Sequence, residues 1–166
     1  MADQEFDTLS FRNALGNFAT GVTVVTAKGG DGTLAGVTAN SFNSVSLDPP
    51  LILWSLDRSS PSLKVLEDAS HFCVHILAEG QNDLCRKFAK SGDNKFNGVE
   101  FTEGLGGAPV FDECLAQFEC RNVAHHDGGD HVIIVGEVER FATADGEPLI
   151  FFRGQIGDLA PLPKAD

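Results

Sequence analysis

Most apolar positions of the chain alternate with polar ones or stand in short continuous runs, which is the pattern of β-strands. These strand patterns cover residues 21–27, 34–42, 51–56, 71–77, 113–126, 131–142 and 148–154. Within 8–18 the apolar residues instead recur at i, i+3, i+4 and i+7, which predicts a short amphipathic helix: Phe11, Ala14, Leu15 and Phe18. Two more short helices are predicted, one from Ser60-Pro61 to about Asp68 and one over 81–91.

Turn residues, not helices, separate most consecutive strands. Asp-Gly pairs at 31–32 and 145–146, and the Asp-Gly-Gly-Asp segment at 127–130, are typical of tight turns. Strands joined in this way pair antiparallel, and parallel βαβ winding is disfavoured. We therefore predict an antiparallel barrel or sandwich of six or seven strands, with a long Gly-rich loop at 92–110 of the kind usually kept for function.

Length and charge narrow the classes of function. The 166 residues suffice for one domain of ordinary size, with no room for separate nucleotide and substrate domains. A formal net charge of −12 repels phosphate backbones and anionic lipid, so we expect neither a nucleic-acid partner nor a membrane partner. An anionic ligand would have to be held locally, by amides, hydroxyls or a placed arginine.

The cysteines and the N-terminal sequence indicate a cytoplasmic protein. The N-terminus lacks the basic and apolar regions of a signal peptide, and no run of about 18 apolar residues is present. The cysteines form no Cys-x-x-Cys pair, and we expect reduced, buried thiols: Cys73, Cys85, Cys114 and Cys120.

Three polar segments are candidates for chemistry, each with a plain alternative. The cluster from His125 to His131 is a polar hairpin turn, a turn that presents one functional histidine, or a metal site. Residues 36–50 are dense in Ser, Thr and Asn, which suits either a strand corner or close approach of a flat or phosphorylated ligand. Residues 57–62 are either a helix N-cap or an anion site. No Gly-x-Gly-x-x-Gly fingerprint, phosphate loop or nucleophile elbow is present.

Taken in order, six stretches of the chain resemble the flavin reductase-like family, the FMN-binding split-barrel reductases of two-component flavin monooxygenases. They are FRNALGNFATGVTVVTA, GVTANSFNSVSLDPPLILWSLDRSSPSLKVL, FCVHIL, FAKSG, GDHVIIVGEVE and PLIFFRG, and they span residues 10–158. The resemblance implies a mainly β fold, a six-stranded antiparallel Greek-key split β-barrel with short flanking helices. It places a single domain over 8–158, with tails at 1–7 and 159–166.

The activity implied by the resemblance is an NAD(P)H:flavin oxidoreductase. Such a protein reduces FMN or FAD with NADH or NADPH, is normally a homodimer, and supplies reduced flavin to a partner monooxygenase. Two alternatives remain: a flavoprotein that holds FMN tightly and reduces another acceptor, and a non-catalytic flavin-binding module. The choices between FMN and FAD and between NADH and NADPH, and the identity of the monooxygenase, stay open at this point.

The resemblance also implies site residues, which contain no protein nucleophile because hydride transfer needs only two cofactors held in register. His131 is expected to contact the nicotinamide. The residues expected to bind cofactor are Val37, Thr38, Ala39, Asn40, Ser41, Ser55, Leu56, Asp57, Ser60, Ser62, Lys87, Phe88, Ala89, His131, Phe152, Arg153 and Gly154. No metal is expected in this reading.

The chain departs from the family pattern at two places. The family often has Asn where this chain has His75, and often Tyr in the last strand, where this chain has Phe151 and Phe152. The chain contains no tyrosine, so no phenol is available to a ligand there.

Overall fold

The computed structural model describes residues 6–92 and 94–160. Its helices are α1 (Thr8–Leu15), α2 (Leu63–Asp68) and α3 (Asn82–Ala89), with a 3₁₀ turn at Leu105–Gly107. Its strands are β1 (Thr20–Gly21), β2 (Thr23–Lys28), β3 (Leu34–Ala39), β4 (Asn43–Leu47), β5 (Pro50–Asp57), β6 (His71–Ile76), β7 (Thr102–Glu103), β8 (Pro109–Val110), β9 (Ala116–Gly128), β10 (His131–Thr143), β11 (Leu149–Phe152) and β12 (Gln155–Asp158). The prediction of a mainly β fold with few helices is confirmed.

One antiparallel sheet carries most of the fold. Its seven strands are hydrogen-bonded in the order β3-β2-β6-β9-β10-β5-β4, one strand more than the predicted barrel. Separate small sheets contain β1-β11-β12 and β7-β8. The 13-residue strands β9 and β10 form one long hairpin, closed by the turn at Gly129-Asp130 as the sequence predicts.

Strand prediction failed where small polar residues form a strand. The stretch predicted as extended over 34–42 ends at Ala39, and Asn43–Leu47 forms a separate strand, β4, that pairs with β5. Ser and Asn have low strand propensity, so pairing with the apolar β5, rather than local preference, places β4. The short strand β12 was also missed, and the loop predicted at 92–110 contains β7, β8 and the 3₁₀ turn.

The predicted start of the second helix was wrong by two to three residues. The helix begins at Leu63 with Ser62 as its N-cap, not at Ser60-Pro61. Ser60 instead closes a turn before the helix: its carbonyl accepts from the Leu63 amide at 3.1 Å and its hydroxyl from the Ser62 amide at 3.3 Å. The first helix likewise ends at Leu15, short of residue 18.

The core lies on both faces of β2 and β6, which are neighbours in the sheet. One cluster contains Trp54, Leu66 and Phe72, and a second contains Leu77 and Phe88. The four cysteines are buried as expected, and burial raises the pKa of Cys114 to about 11 and that of Cys120 to about 12. Their thiols are therefore packing groups, because reactivity requires the thiolate.

Helix α1 is amphipathic but buries none of its residues. The side chains of Phe11 and Leu15 on its apolar face are 48% and 59% exposed, and Phe18, just beyond the helix, is 78% exposed, although an amphipathic helix normally packs its apolar face. The end of β4 has the same property, with Leu47 at 95% exposure. In the described ranges, no helix is both long and apolar enough to cross a membrane.

Candidate functional site

The small polar segment after β3 is tied directly to β5. The Ser41 hydroxyl accepts a hydrogen bond from the Ser55 amide at 2.9 Å and donates to the Ser55 carbonyl at 3.0 Å. This exchange brings two of the sequence-predicted cofactor segments, 37–41 and 55–57, side by side. Because these residues have small side chains, hydrogen bonds rather than side-chain packing fix the two backbones relative to each other.

Within the first segment, the fold uses some groups and leaves others exposed. Val37 is buried, and the Thr38 hydroxyl donates to the Cys85 carbonyl of α3 at 2.7 Å. The Ala39 carbonyl accepts from the Thr23 hydroxyl at 2.7 Å. Asn40 and Ser41 are exposed at the strand end. The Asn40 side chain and the backbone at 40–41 are therefore the groups open to a ligand, because the Ser41 hydroxyl is already bonded to Ser55.

The register of β5 against β10 places His131 beside the second segment. His131 pairs with Asp57, and Leu56 with Val132. The Asp57 carboxylate accepts from the Ser59 hydroxyl at 2.6 Å and from the Ser59 amide at 2.7 Å, and these bonds lower the pKa of Asp57. His131 is partly exposed, and its Nδ1 lies 2.7 Å from a carboxylate oxygen of Asp130. The carboxylate at Nδ1 leaves Nε2 as the ring nitrogen available to a ligand.

Arg58 joins the loop after β5 to the β9–β10 turn. Its amide donates to the Asp130 carbonyl at 2.9 Å, and its Nε donates to the Gly129 carbonyl at 2.9 Å. Its Nη2 forms an ion pair with Asp127 at 2.5 Å. Arg58 therefore holds the loop that carries Ser60 and Ser62 against the hairpin that carries His131.

A groove of about 280 Å³ opens beside these segments. It lies between β3, the start of α2 and residues 92, 95 and 96, and its lining includes Gly36, Ser62, Lys95 and Phe96. The Lys95 ammonium donates to the carbonyls of Gly36 at 3.0 Å and Phe88 at 3.1 Å, and burial lowers its pKa. Sequence reasoning assigned this glycine-rich loop to function but missed Lys95 and Phe96.

The family of the chain is decided by its match over residues 15–160 to the flavin reductase like domain. The chain belongs to the flavin reductase-like family. It is 51% identical over 148 residues to the FMN reductase (NADH) SmoA of Agrobacterium fabrum, covering 89% of this chain and 84% of that protein. It is 38% identical to HsaB of Rhodococcus jostii, a flavin-dependent monooxygenase reductase subunit, over 97% of this chain and 83% of that protein.

A solved structure extends the similarity to the fold. The NADH:FAD oxidoreductase SgcE6 of Streptomyces globisporus, in complex with NAD and FAD fragments, superposes with a TM-score of 0.88. The two are 36% identical, and the alignment covers 93% of this chain and 94% of that one. Some curated relatives are longer, and the chain spans only 50% and 46% of two of them.

Two predicted site segments of this flavin reductase-like chain, 87–89 and 152–154, do not lie at the β5–β10 edge. The first of them is on α3, next to the groove. Phe88 is buried against Gly36 and below Phe96, so it supports the groove from beneath. Lys87 donates its ammonium to the Asn97 carbonyl, and Ala89 is exposed. All three residues belong to α3 and none lines this groove, although Phe88 contacts Gly36 and Phe96, which do.

The predicted segment at Phe152–Gly154 lies at the turn between β11 and β12. The Arg153 guanidinium lies 5.0 Å from the centre of the Phe152 ring, and its Nε donates to the Asn17 side chain at 2.9 Å. The Arg153 amide donates to the Gly16 carbonyl at 2.9 Å. Its contacts therefore go to the end of α1, and its place beside His131 stays a prediction.

The histidine cluster does not bring its side chains together. His125 Nε2 lies 2.8 Å from the Asn122 side-chain oxygen, and Asp127 is paired with Arg58. Among the residues that the structure describes, no group of three or more His, Cys, Asp or Glu side chains is arranged to hold a metal ion.

Proposed function

We propose that the chain is an NAD(P)H:flavin oxidoreductase that passes reduced flavin to a separate monooxygenase. The observation that carries the proposal is the β5–β10 edge, where Asp57 and His131 pair two positions from the Ser41–Ser55 exchange. Support comes from family membership and from relatives whose names are FMN reductase (NADH) and reductase subunit of a flavin-dependent monooxygenase.

The donor set fits a flavin, a largely neutral ring that carries one phosphate or a pyrophosphate. The Asn40 side chain and the Ser60 and Ser62 hydroxyls, which donate no hydrogen bond to another described residue, can donate to ring carbonyls and phosphate, and Lys95 supplies one nearby cation. When bound, the flavin supplies the hydride acceptor and the nicotinamide supplies the hydride. The protein binds and orients them, and amides near the ring stabilise the negative charge that reduction creates. We assign His131 Nε2 the role of orienting the nicotinamide amide.

Three structural expectations are part of the proposal. Six strands in the order β3-β2-β6-β9-β10-β5 close into the Greek-key barrel through the Ser41–Ser55 exchange, and β4 stays outside that ring. Residues 8–158 form a single domain. The free buried cysteines support the cytoplasm as its compartment.

The decisive measurement is flavin-dependent oxidation of the nicotinamide, followed by its absorbance, for NADH and NADPH with FMN, FAD and riboflavin. In His131→Ala we expect the nicotinamide KM to rise about tenfold, since an orienting hydrogen bond worth about 1.5 kcal/mol is lost, with the flavin KM unchanged. His126→Ala removes an exposed histidine of the same hairpin and should match the wild type.

Three results would contradict parts of the proposal. Absence of flavin-dependent oxidation with every pair rejects the reductase function. Equal changes in flavin and nicotinamide KM reject the assigned role of His131. A yellow protein that keeps its flavin through gel filtration instead supports a tightly bound FMN and another acceptor.

The uncovered apolar face of α1 supports a homodimer. Phe11 and Leu15 on that face, with Phe18 just beyond the helix, together expose apolar area that a folded protein normally buries. We expect the wild type to sediment as a dimer, and the variant Leu15→Asp/Phe18→Asp to sediment as a monomer with its circular dichroism unchanged. Ser10→Asp, on the same helix, should stay dimeric. A monomeric wild type, or a double variant that stays dimeric, would count against this surface.

A further inference from the structure

The chain is acidic overall but concentrates cations at one place. Four of its 12 Lys and Arg residues fall between positions 86 and 95, on α3 and the loop after it. All four cations line one groove of about 560 Å³: Arg86, Lys87, Lys90 and Lys95. Among the described residues that line this groove, Asp83 supplies the single carboxylate. A volume of this size lies in the range of ~300–1,000 Å³ that is usual for small-molecule sites.

The cationic groove continues the smaller groove that contains Ser62. Gly92 and Lys95 line both, so the two grooves are continuous at these two residues. A flavin phosphate near Ser62 would therefore have the cationic groove directly beyond it. FMN ends at that phosphate, whereas FAD continues with a second phosphate and adenosine.

The four cations differ in their availability. Lys95 and Lys87 donate their ammonium groups to backbone carbonyls, which ties them to the loop and to α3. Arg86 and Lys90 are exposed, and neither forms an ion pair or a side-chain hydrogen bond with any other residue of the described ranges. An arginine beside a lysine at an open groove suits a phosphate, which arginine binds with two donors.

We propose that this groove binds the adenosine diphosphate group of a dinucleotide, with Arg86 and Lys90 as its phosphate donors. The inference rests on the proposed function for its ligand, since both FAD and the nicotinamide nucleotides carry this group, whereas FMN and riboflavin do not. The net charge of −12 would otherwise repel a pyrophosphate, so local cations have a clear use.

The direct test is binding of ADP itself, measured by titration calorimetry on the full chain. In Arg86→Gln/Lys90→Gln we expect at least about fivefold weaker ADP binding, with the difference shrinking at 0.5 M NaCl because exposed charges are screened. Arg12→Gln is a closely matched control for Arg86→Gln, because Arg12 occupies the fifth position of an eight-residue helix, as Arg86 does. It should bind ADP as the wild type does.

Kinetics then identify the source of the group. A rise in the KM for FAD alone, with FMN and riboflavin unchanged, assigns the groove to FAD. A rise in the KM for NADH with FMN as acceptor assigns it to the nicotinamide nucleotide. Unchanged ADP binding in the double variant, or a riboflavin KM that rises as much as that for FAD, overturns the proposal. A protein inactive with every pair rejects the reductase function, while the ADP titration still tests the groove.

Discussion

Between pH 7.5 and pH 5.0 the free energy of unfolding is expected to fall by about 2 kcal/mol because of one imidazole, that of His75. His75 is completely buried on β6, and burial lowers its pKa from 6.5 to about 4. The folded protein therefore keeps the ring neutral at pH 5, while the unfolded chain takes up a proton below about pH 6.5. Stability from this group is complete above that pH and is lost as the pH falls toward 4.

The contacts of His75 define one tautomer of the ring. Its Nδ1 donates to the Val24 carbonyl at 2.9 Å, and its Nε2 accepts from the Phe111 amide at 3.1 Å. Protonation of Nε2 would place its N–H against the Phe111 N–H, so that two donors would face each other in a buried site. The nearby Glu119 carboxylate compensates only in part for the cost of burying this charge. The ring also packs on Phe111, with centroids 4.6 Å apart.

Urea unfolding at pH 7.5 and 5.0 checks this expectation. His75→Asn, which places the residue common in the family, should remove about 2 kcal/mol of the pH dependence whatever its stability at pH 7.5. His126→Asn, at an exposed position, should keep the wild-type dependence. Identical pH dependence in wild type and His75→Asn would show that a group other than His75 causes the loss of stability. Glu119 does not interfere with this test, because its pKa is lowered by Arg140 and its contribution to stability is lost mainly below pH 4.5.

Gly36→Ala is expected to lower the free energy of unfolding by about 2 kcal/mol or more, a fall of about 4–8 °C in Tm. A Cβ at this position would stand 2.4 Å from the Phe88 ring and 3.1 Å from Phe96. Both rings belong to a packed aromatic group with Phe111, so the strand and α3 would have to separate. Because Gly36 also lines the Ser62 groove, we expect a higher flavin KM in the same variant.

A double variant separates this clash from the general cost of changing a strand glycine. Gly36→Ala/Phe88→Leu should recover part of the loss, so that the two effects are less than additive. Gly157→Ala is the matched control, because Gly157 is also in a strand and has open space where a Cβ would stand. Additive losses, or a similar Tm drop in Gly157→Ala, would argue against the proposed contact.

Local sequence predicted the elements whose pattern and environment agree. The β9–β10 hairpin was found because alternating residues flank a Gly-Asp turn, and α3 because Leu84 and Phe88 stand four apart. Strand β6 shows where alternation misleads. It places His71, Cys73 and His75 on one face as if that face were polar, yet residues 72–75 are buried on both faces. Contacts far along the chain explain this: Trp54 packs on Phe72, Ala108 and Val110 pack on Cys73, and the Phe111 segment covers His75.

Some residues of the candidate site were also predictable from local sequence, whereas others were not. The segments 37–41 and 55–57 and His131 were predicted from motifs, and the structure brings them together through long-range pairings. Arg58 was predicted only as a member of the donor cluster at 57–62, and Lys95 was missed. Their contacts depend on partners such as Asp127 and Gly36, which are distant in sequence. Charge clustering at 86–95 was visible in the sequence, but only the shared groove gives it meaning.

The pairing of β5 with β10 also has a consequence for the order of folding. Ser55–Asp57 must wait for a strand that begins at residue 131, so this contact closes one of the longest loops in the main sheet. Long loops cost more entropy to close, and contacts of high sequence separation slow folding. On a growing polypeptide the two sides of the site stay apart until β10 has been made. Recovery of enzymatic function during refolding is therefore a readout of this late long-range contact, not of early hairpins.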